Sequence, residues 1–240
     1  MSGDGRPVAV VTGSTRGIGF GVAEGLVDRG WAVVVGSRSE SAVERTVGAL
    51  RETGEAVAGR RVDVRRPDEC RAFVDEAVER FGRLDLLVNN AGVGSFRPIQ
   101  EMSPEDWDLQ IRTNLDGVFH CSEAAIPHLR RNEEGGWIVN IGSIASRHAI
   151  AGGAAYNASK FGLLGLTEAM MLDLRHENVR VSIVMPGSVA TDFFGSPADP
   201  EESWKLRAED VARAVVDLLE YPPRALPSRV EVRPTRPPRT

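Results

Sequence analysis

Residues 8–19 read VAVVTGSTRGIG, and this stretch decides the fold. Its first four residues are apolar and mostly β-branched, which is typical of a buried strand, and the amphipathic stretch Ile18–Arg29 predicts a helix. Glycines between the two permit a sharp turn and let a ligand approach the backbone without a Cβ in the way. A helix that starts directly after such a turn directs free N–H groups and its positive dipole end at anions. The stretch therefore predicts a strand, a loop that holds dinucleotide phosphates, and a helix.

The same alternation of strand and helix continues along the chain. Further apolar runs have strand length, and further amphipathic stretches have helix length. The runs are too continuous for strands with one face in water, so they predict a buried parallel sheet with helices on both faces. The predicted fold is α/β, a doubly wound Rossmann-type sheet of about seven strands, in one domain over residues 1–240. The further strands are Ala32–Val35, Arg61–Val64, Leu84–Asn89, Trp137–Ile141, Arg180–Met185 and Arg229–Arg233, and the further helices are Ser41–Thr53, Pro67–Phe81, Pro104–Arg131, Gly153–Glu177 and Ala208–Glu220.

Composition excludes several classes of protein. With 42% hydrophobic and 26% charged residues, the 240-residue chain is neither disordered nor a small disulfide scaffold. A net charge of −5 argues against nucleic acid as a partner, because phosphate binding needs a basic face. No apolar run reaches the ~20 residues that span a bilayer, and the N-terminus lacks the apolar core of a signal peptide. Cys70 and Cys121 are expected as buried thiols in a cytoplasmic protein, and the four histidines show no metal-ligand spacing.

A series of short motifs follows the glycine loop, whose own spacing is G-x-x-x-G-x-G. In order and spacing over residues 8–191, this series resembles the short-chain dehydrogenase/reductase family. The resemblance implies a Rossmann-type domain, usually a homotetramer or homodimer, that exchanges hydride between a nicotinamide cofactor and a carbonyl or alcohol. The motifs are Asp63-Val64, Asn89-Asn90-Ala91-Gly92, Asn114, Ser143, Tyr156-x-x-x-Lys160 and Pro186-Gly187-x-x-x-Thr191.

Three side chains have the chemistry of a carbonyl-reducing centre. Tyr156 and Lys160 lie four residues apart in a predicted helix and share one face, so the ammonium is expected to lower the pKa of the tyrosine toward neutrality. Ser143 follows a strand at the carboxyl edge of the sheet, where its hydroxyl can donate to a substrate oxygen. A core tyrosine beside a surface lysine is the structural alternative. The resemblance adds that Lys160 binds the cofactor ribose and that Asn114 interrupts its helix to hold a proton-relay water.

The resemblance also assigns cofactor contacts at the carboxyl ends of the strands. Asp63 would accept a hydrogen bond from the adenine amino group, and Thr191 would hold the nicotinamide carboxamide. Each position alone could be turn chemistry, and together they outline one elongated site. The full set of implied contacts is Gly13, Ser14, Thr15, Arg16, Gly17, Ile18, Gly19, Ser37, Arg38, Asp63, Val64, Asn90, Ala91, Gly92, Tyr156, Lys160, Pro186, Gly187, Val189 and Thr191.

The choice of cofactor rests on the end of the second strand. NAD-dependent enzymes of this fold usually carry an acid there, which binds the adenosine 2′-hydroxyl and repels a 2′-phosphate. Here Ser37 takes that position, Arg38 follows it, and Arg16 lies in the glycine loop. Two guanidinium groups would form charge-assisted hydrogen bonds to the phosphate, so the sequence predicts NADP(H). The alternative is that both arginines only solvate the surface of an arginine-rich chain.

The substrate end is predicted from the segments that border the site. Residues 192–207 contain two prolines and three aromatic residues and are expected to form a lid, the alternative being a surface excursion. Residues 228–240 are expected to form the last strand and a solvated tail, with an interaction arm as the alternative. The predicted apolar lining is Val93, Gly94, Ile144, Ile150, Phe193 and Phe194, with Trp204 in the lid.

The last strand departs from one branch of the family. Acyl-carrier-protein reductases typically end with Gly-Gln and Asp-Gly-Gly signatures, whereas Arg229-Val230-Glu231-Val232-Arg233-Pro234 is more similar to the serine/3-hydroxy-acid dehydrogenase branch. The predicted function is an NADPH-dependent reductase that converts a ketone or 3-oxo group of a small molecule to a secondary alcohol. A catalytically silent dinucleotide sensor or scaffold is the alternative, because a fold alone does not determine function.

Overall fold

A computed structural model describes residues 5–191, 193 and 203–238. In these ranges seven strands form one parallel sheet in the order β3-β2-β1-β4-β5-β6-β7. Parallel pairing brings the carboxyl ends of the strands to one edge, and the order reverses between β1 and β4, where a ligand crevice opens in such sheets. The strands are β1 (Val8–Thr12), β2 (Ala32–Ser37), β3 (Val57–Arg61), β4 (Leu86–Asn89), β5 (Gly136–Ile141), β6 (Val179–Pro186) and β7 (Arg229–Val232).

Helices cover both faces of this sheet. They are α1 (Gly17–Val27), α2 (Glu40–Arg51), α3 (Pro67–Phe81), α4 (Pro104–Ile111), α5 (Gly117–Leu129), α6 (Ala154–Leu174) and α7 (Ala208–Leu218). One apolar core lies between the sheet and α3, α5 and α6, and the other lies between the sheet and α1, α2 and α7. In β1, Val8 and Val10 pack into the first core while Ala9 and Val11 pack into the second, so the whole strand is apolar. The predicted doubly wound α/β fold in a single domain is confirmed.

The stretch Pro104–Arg131, predicted as one helix, is divided into two. α4 begins after Ser103, whose hydroxyl accepts a hydrogen bond from the N–H of Asp106 at 3.1 Å. A single π-helical turn, Arg112–Asp116, then separates α4 from α5 and contains Asn114 at its centre. Asparagine is a poor helix former, and π-turns are frequent at functional sites. The interruption at Asn114 that the resemblance implied is therefore observed, and it divides the predicted helical stretch into α4 and α5.

The third strand lies earlier in the chain than the sequence predicted. β3 spans Val57–Arg61, whereas the predicted strand was Arg61–Val64. Pairing with β2 explains the difference, because the last pair joins Ser37 to Arg61 and the chain turns directly afterwards. The two valines that flank Asp63 suggested a strand, and they instead pack into the core beneath the turn. Asp63 therefore lies in a turn at the carboxyl edge of the sheet.

The remaining predicted strands and helices are observed with small shifts at their ends. The final strand is β7, which pairs with β6 at the edge of the sheet. Across the described ranges, no helix is both long and apolar enough to cross a membrane. The same residues contain no group of three or more His, Cys, Asp or Glu side chains that could hold a metal ion. Cys70 and Cys121 are buried free thiols.

Candidate functional site

A cleft extends along the carboxyl edge of the sheet, across the point where β1 and β4 meet. It encloses about 390 Å³, a volume usual for small-molecule sites. Most residues that the resemblance assigned to a cofactor lie in its walls. They are Gly13, Thr15, Arg16, Gly17, Ile18, Ser37, Arg38, Asp63, Val64, Asn90, Ala91, Gly92, Tyr156, Lys160, Pro186, Gly187, Val189 and Thr191.

The shape of the glycine loop depends on two glycines and an asparagine. Gly13 and Gly17 have φ angles of +61° and +55°, a conformation that other residues rarely adopt. The side-chain amide of Asn90 donates to the carbonyls of Thr12 and Gly13 at 3.0 and 2.9 Å. The Thr12 hydroxyl in turn accepts from the N–H groups of Asn90 and Ala91, both at 2.9 Å. The neighbouring strand β4 therefore holds the loop in place.

Ser14 and Gly19, both predicted to contact the cofactor, do not line the cleft. Ser14 is fully buried, and its hydroxyl donates to the carbonyl of Val11 at 2.8 Å and accepts from the N–H of Gly36 at 2.9 Å. A Cβ on Gly19 would lie 2.4 Å from the carbonyl oxygen of Gly13. Both residues support the loop from behind, and the spacing of a motif does not show which of its residues face the ligand.

At one end of the cleft, a carboxylate lies among arginines. Ser37 and Arg38 extend from β2, and Asp63 lies in the turn after β3 with only 8% of its surface exposed. Hydrogen bonds from the Arg65 side chain hold the pKa of Asp63 below its ordinary value against the opposing effect of burial, and the charge of Arg38 also lowers it. Asp63 is therefore ionised at neutral pH, in surroundings that favour polar and anionic ligand groups.

Three predicted catalytic side chains meet where β5 and α6 approach each other. Ser143 follows β5, Tyr156 lies in the first turn of α6, and both residues line the cleft. Lys160 lies one turn further along α6, and its Nζ donates to the carbonyl of Ile141 at 2.8 Å. This Nζ is 5.9 Å from the centre of the Tyr156 ring. Two hydroxyls and one amine are thus brought together in the cleft.

Burial controls the protonation of this centre. Tyr156 is 6% exposed, and burial raises its pKa while the hydrogen bond with Ser143 acts in the opposite direction. Burial also lowers the pKa of Lys160 to about 8. The expectation that Lys160 brings the pKa of Tyr156 toward neutrality is therefore wrong for this structure. The Lys160 Nζ is engaged by the Ile141 carbonyl, and the loss of solvent around the phenol dominates.

Asn114 connects two parts of the site rather than lining the cleft. Its Oδ1 accepts from the N–H of Val93 at 2.8 Å, and its Nδ2 donates to the carbonyl of Val93 at 2.8 Å. The same Nδ2 donates to the hydroxyl of Ser159 at 3.0 Å, and that hydroxyl donates to the carbonyl of Tyr156 at 2.7 Å. The asparagine in the π-turn therefore fixes the loop after β4 to the helix that carries the tyrosine and the lysine.

The substrate end of the cleft is mainly apolar. Gly94, predicted to line it, does not, because Asn114 holds Val93 and the chain then continues toward Gln110, which binds the N–H of Ser95 at 3.2 Å. The predicted residues that do line this end are Val93, Ile144, Ile150 and Phe193.

Most of the predicted lid, namely Asp192 and residues 194–202 with Phe194, lies outside the described residues. After this gap, Leu206 pairs with the segment that follows β6, since its N–H donates to the carbonyl of Ser188 at 3.0 Å. Trp204 does not line the cleft, whereas its neighbour Lys205 does. The Nζ of Lys205 lies 5.8 Å from the centre of the Trp204 ring.

Sequence reasoning missed seven other lining residues of the cleft: Val62, Phe96, Thr113, Ile141, Gly142, Ser188 and Lys205. The ring centres of Phe96 and Tyr156 are 5.7 Å apart, so this phenylalanine borders the tyrosine that the sequence predicts to be catalytic. No spacing rule points to Phe96, which comes from an irregular loop. Lys205 had an available signal, because it is one of only two lysines in the chain.

Comparison with known proteins agrees with this geometry. Residues 7–202 match the family model for short chain dehydrogenases. The chain is 42% identical over 185 residues to the monensin polyketide synthase putative ketoacyl reductase of Streptomyces virginiae, covering 77% of this chain and 71% of that protein. It is 34% identical over 206 residues to a 3-oxoacyl-[acyl-carrier-protein] reductase of Staphylococcus aureus, covering 85% and 83%. The X-ray structure of an alcohol dehydrogenase from Thermococcus sibiricus, complexed with 5-hydroxy-NADP, matches with a TM-score of 0.90 at 32% identity, covering 98% of this chain and 100% of that one.

Proposed function

We propose that this chain, which belongs to the short chain dehydrogenase family, reduces a ketone or 3-oxo group to a secondary alcohol with NADP(H). The observation that carries the proposal is that Ser143, Tyr156 and Lys160 line the same cleft as the glycine loop, with Lys160 one helical turn after Tyr156. A glycine loop alone would fit any dinucleotide-binding protein. Two hydroxyl donors beside a lysine, in contrast, are the groups that proton transfer to a carbonyl oxygen requires.

Ser143 and Tyr156 polarise the substrate carbonyl by donating hydrogen bonds to its oxygen. Burial raises the pKa of Tyr156, so the phenol keeps its proton at neutral pH and serves as the acid in the direction of reduction. The nicotinamide supplies the hydride to the carbonyl carbon when it is bound. As negative charge develops on the oxygen, both hydroxyls stabilise it, and Tyr156 transfers its proton to give the alcohol.

Lys160 supports this proton transfer from the same helix. Its pKa of about 8 keeps it mostly charged at neutral pH, and a cation 5.9 Å from the phenol ring favours the tyrosinate that remains after transfer. A water at the π-turn of Asn114 would return a proton to Tyr156 through Lys160. Asn114 also holds the loop at Val93 in a fixed position relative to α6 during this exchange.

The cofactor of the reaction is NADP(H). Arg16 and Arg38 line the cleft, and Ser37 takes the position at the end of β2 where an acid would repel a 2′-phosphate. Each charge-assisted hydrogen bond from a guanidinium to that phosphate contributes about 1.5–3 kcal/mol. The Thermococcus sibiricus alcohol dehydrogenase, with the same fold, was solved with 5-hydroxy-NADP.

The substrate is a small molecule with apolar surroundings at its carbonyl, in accordance with the lining by Val93, Ile144, Ile150 and Phe96. One relative is named a putative ketoacyl reductase and another a 3-oxoacyl-[acyl-carrier-protein] reductase, which favours a 3-oxo compound within this class. A homodimer or homotetramer is the assembly that we propose for the protein.

Replacement of Tyr156 by Phe tests the proposal. We expect kcat for NADPH-dependent reduction to fall by about 10²–10⁴-fold, because the acid is lost, while the Kd for NADPH stays unchanged. Reduction is measured by NADPH absorbance across 3-oxoacyl thioesters, 3-oxo esters and cyclic ketones, and oxidation is measured with 3-hydroxy acids. The control is Tyr221→Phe, which changes the other tyrosine, 48% exposed and outside the cleft.

The alternative function, a silent dinucleotide sensor, gives a different result in the same assay. A wild-type protein that binds NADPH but turns over none of the panel would favour the sensor. A Tyr156→Phe variant as active as the wild type would exclude the proposed mechanism.

A further inference from the structure

The segment between β5 and α6 forms one wall at the substrate end of the cleft. Ile144 and Ile150 from this segment line the cleft, and Ile150 is 40% exposed. Apart from a short 3₁₀ turn, Ile144–Ser146, the segment contains no helix or strand before α6 begins at Ala154. Its backbone N–H and C=O groups therefore need partners that regular structure does not supply. Those partners determine where Ile150 lies.

One buried side chain supplies three of these partners. Asn157, in the first turn of α6, is 9% exposed. Its Nδ2 donates to the carbonyls of Ala145 and His148, both at 2.9 Å, and its Oδ1 accepts from the N–H of Ile150 at 2.9 Å. Both hydrogens of the amide are thus used. A flipped amide would place its nitrogen against the N–H of Ile150, so only one orientation satisfies all three groups.

The Asn157 amide is also closely packed. A Cβ on Gly153 would lie 2.9 Å from Oδ1 of Asn157 and 3.1 Å from the carbonyl oxygen of Ile150. The same Cβ would lie 3.0 Å from Cε1 of Phe96. Phe96 and Ile150 line the cleft, whereas Asn157 does not. The amide therefore supports from behind a wall that these two side chains form.

The same amide contacts the turn that carries Ser143. The N–H of Ala145 donates to the Ser143 hydroxyl at 3.1 Å, and the N–H of Ser146 donates to the Ser143 carbonyl at 2.9 Å. The carbonyl of Ala145 is in turn bound by Asn157, which directly follows Tyr156 in α6. One side chain therefore connects the two proposed hydrogen-bond donors with the wall beside them.

We propose that Asn157 is a positioning residue that determines substrate specificity: it holds Ile150 in the wall of the cleft and so limits the size of the group beside the reacting carbonyl. This inference rests on the proposed function for the class of ligand. Without the amide, the backbone groups that it binds would turn to water, because residues 147–151 are exposed. The wall would then lose contact with a small substituent and make room for a larger one.

The test compares two ketones that differ only in that group, ethyl 3-oxobutanoate and ethyl 3-oxo-3-phenylpropanoate. Their Kd values are measured by calorimetry with NADP⁺ present, which has no hydride to give, so the result does not depend on turnover. We expect Asn157→Ala to lower the ratio of the Kd for the phenyl ketone over the Kd for the methyl ketone by at least about fivefold. A loss of folding stability alone would leave this ratio unchanged.

Asn157→Asp tests whether the hydrogen bonds or only the volume of the side chain matter. A carboxylate has nearly the same shape and still accepts from the N–H of Ile150, but it has no hydrogen for the carbonyls of Ala145 and His148. We expect the Kd ratio to fall as in Asn157→Ala. An Asn157→Asp variant with the wild-type ratio would show that the side chain only fills space, and it would overturn the inference.

The matched control is Asn132→Ala, which removes another side-chain hydrogen bond to a backbone carbonyl, that of Leu84, outside the cleft. It should keep the wild-type ratio. If Asn157→Ala does not fold, Asn157→Ser decides in the same way, because one hydroxyl can donate to only one of the two carbonyls.

An unchanged ratio in the variant that replaces Asn157, or a wild type that binds neither ketone, would overturn the inference. A protein that shows the expected change in ratio yet reduces neither ketone with NADPH would overturn the proposed reaction and leave the role of Asn157 intact.

Discussion

Single charged residues determine what each end of the cleft can bind. Only two of the 29 cationic residues of the chain are lysines, Lys160 and Lys205, and both line the cleft together with Arg16 and Arg38. A guanidinium binds phosphate oxygens in pairs, whereas an ammonium is a compact charge whose pKa shifts readily on burial. The arginines are therefore suited to bind a phosphate, and Lys160 is suited to the proton transfer that we propose.

Replacing Arg38 by Asp should shift the cofactor preference from NADPH toward NADH. The acid would repel the 2′-phosphate and accept a hydrogen bond from a 2′-hydroxyl, so the ratio of kcat/KM for NADPH over NADH should fall by at least about tenfold, mainly through KM. Arg45→Asp makes the same charge change at an exposed position of α2 and should keep the wild-type ratio. A wild type that already prefers NADH would contradict the assignment of Arg38.

At the scale of elements, glycines have different roles in helices and in the loop. Gly48 is exposed in the interior of α2, and a Cβ there would meet nothing within 4 Å. Gly13 has a positive φ, and its Cβ would lie 2.8 Å from the Cα of Ala91. The first glycine is therefore replaceable, whereas the second is required for the close approach of two strand ends.

Gly48→Ala should raise the free energy of unfolding by about 0.5–1 kcal/mol, because alanine restricts the unfolded chain and favours the helix. Gly13→Ala should lower it by more than about 1 kcal/mol, because the new side chain meets backbone in a conformation unsuited to alanine. Urea denaturation measures both values, and an NADPH titration should show weaker binding only for Gly13→Ala. Equal effects of the two substitutions would be inconsistent with this description of the loop.

The elements show which parts of the structure a sequence can predict. Buried parallel strands are mainly apolar, so β1, β2, β4, β5 and β6 were predictable from their apolar runs in the sequence. β3 was misplaced because its two arginines look unlike a strand, while Val62 and Val64 pack into the core from a turn. Motif order predicted Tyr156, but the orientation of Ser14 away from the cleft depends on tertiary contacts that spacing does not encode.

For the whole molecule, Lys160 links the site to stability. The lysine is 5% exposed, and burial lowers its pKa in the folded protein to about 8, whereas the unfolded value is 10.5. Between these values the unfolded state binds more protons than the folded state, so this group makes folding more favourable as the pH rises. Below pH 8, Lys160 is protonated in both the folded and the unfolded state, so the folded protein bears the full free-energy cost of burying the charge.

Lys160→Met should abolish this dependence. From pH 7.5 to 9.5, the wild type should gain about 2 kcal/mol in the free energy of unfolding relative to the variant. Urea denaturation at the two pH values measures the difference, and Lys205→Met, which removes the other lysine, should follow the wild type. If the free energy of unfolding changed with pH in the same way for Lys160→Met and the wild type, folding would not lower the pKa of Lys160.

The scarcity of lysine also has a practical consequence for labelling. Lys160 is buried against the Ile141 carbonyl, whereas Lys205 borders the cleft with part of its side chain exposed. An amine-reactive fluorophore would therefore attach mainly at Lys205, apart from the α-amino group, and it would do so beside the site without any engineered residue. The emission of such a conjugate would report directly on molecules that enter the cleft.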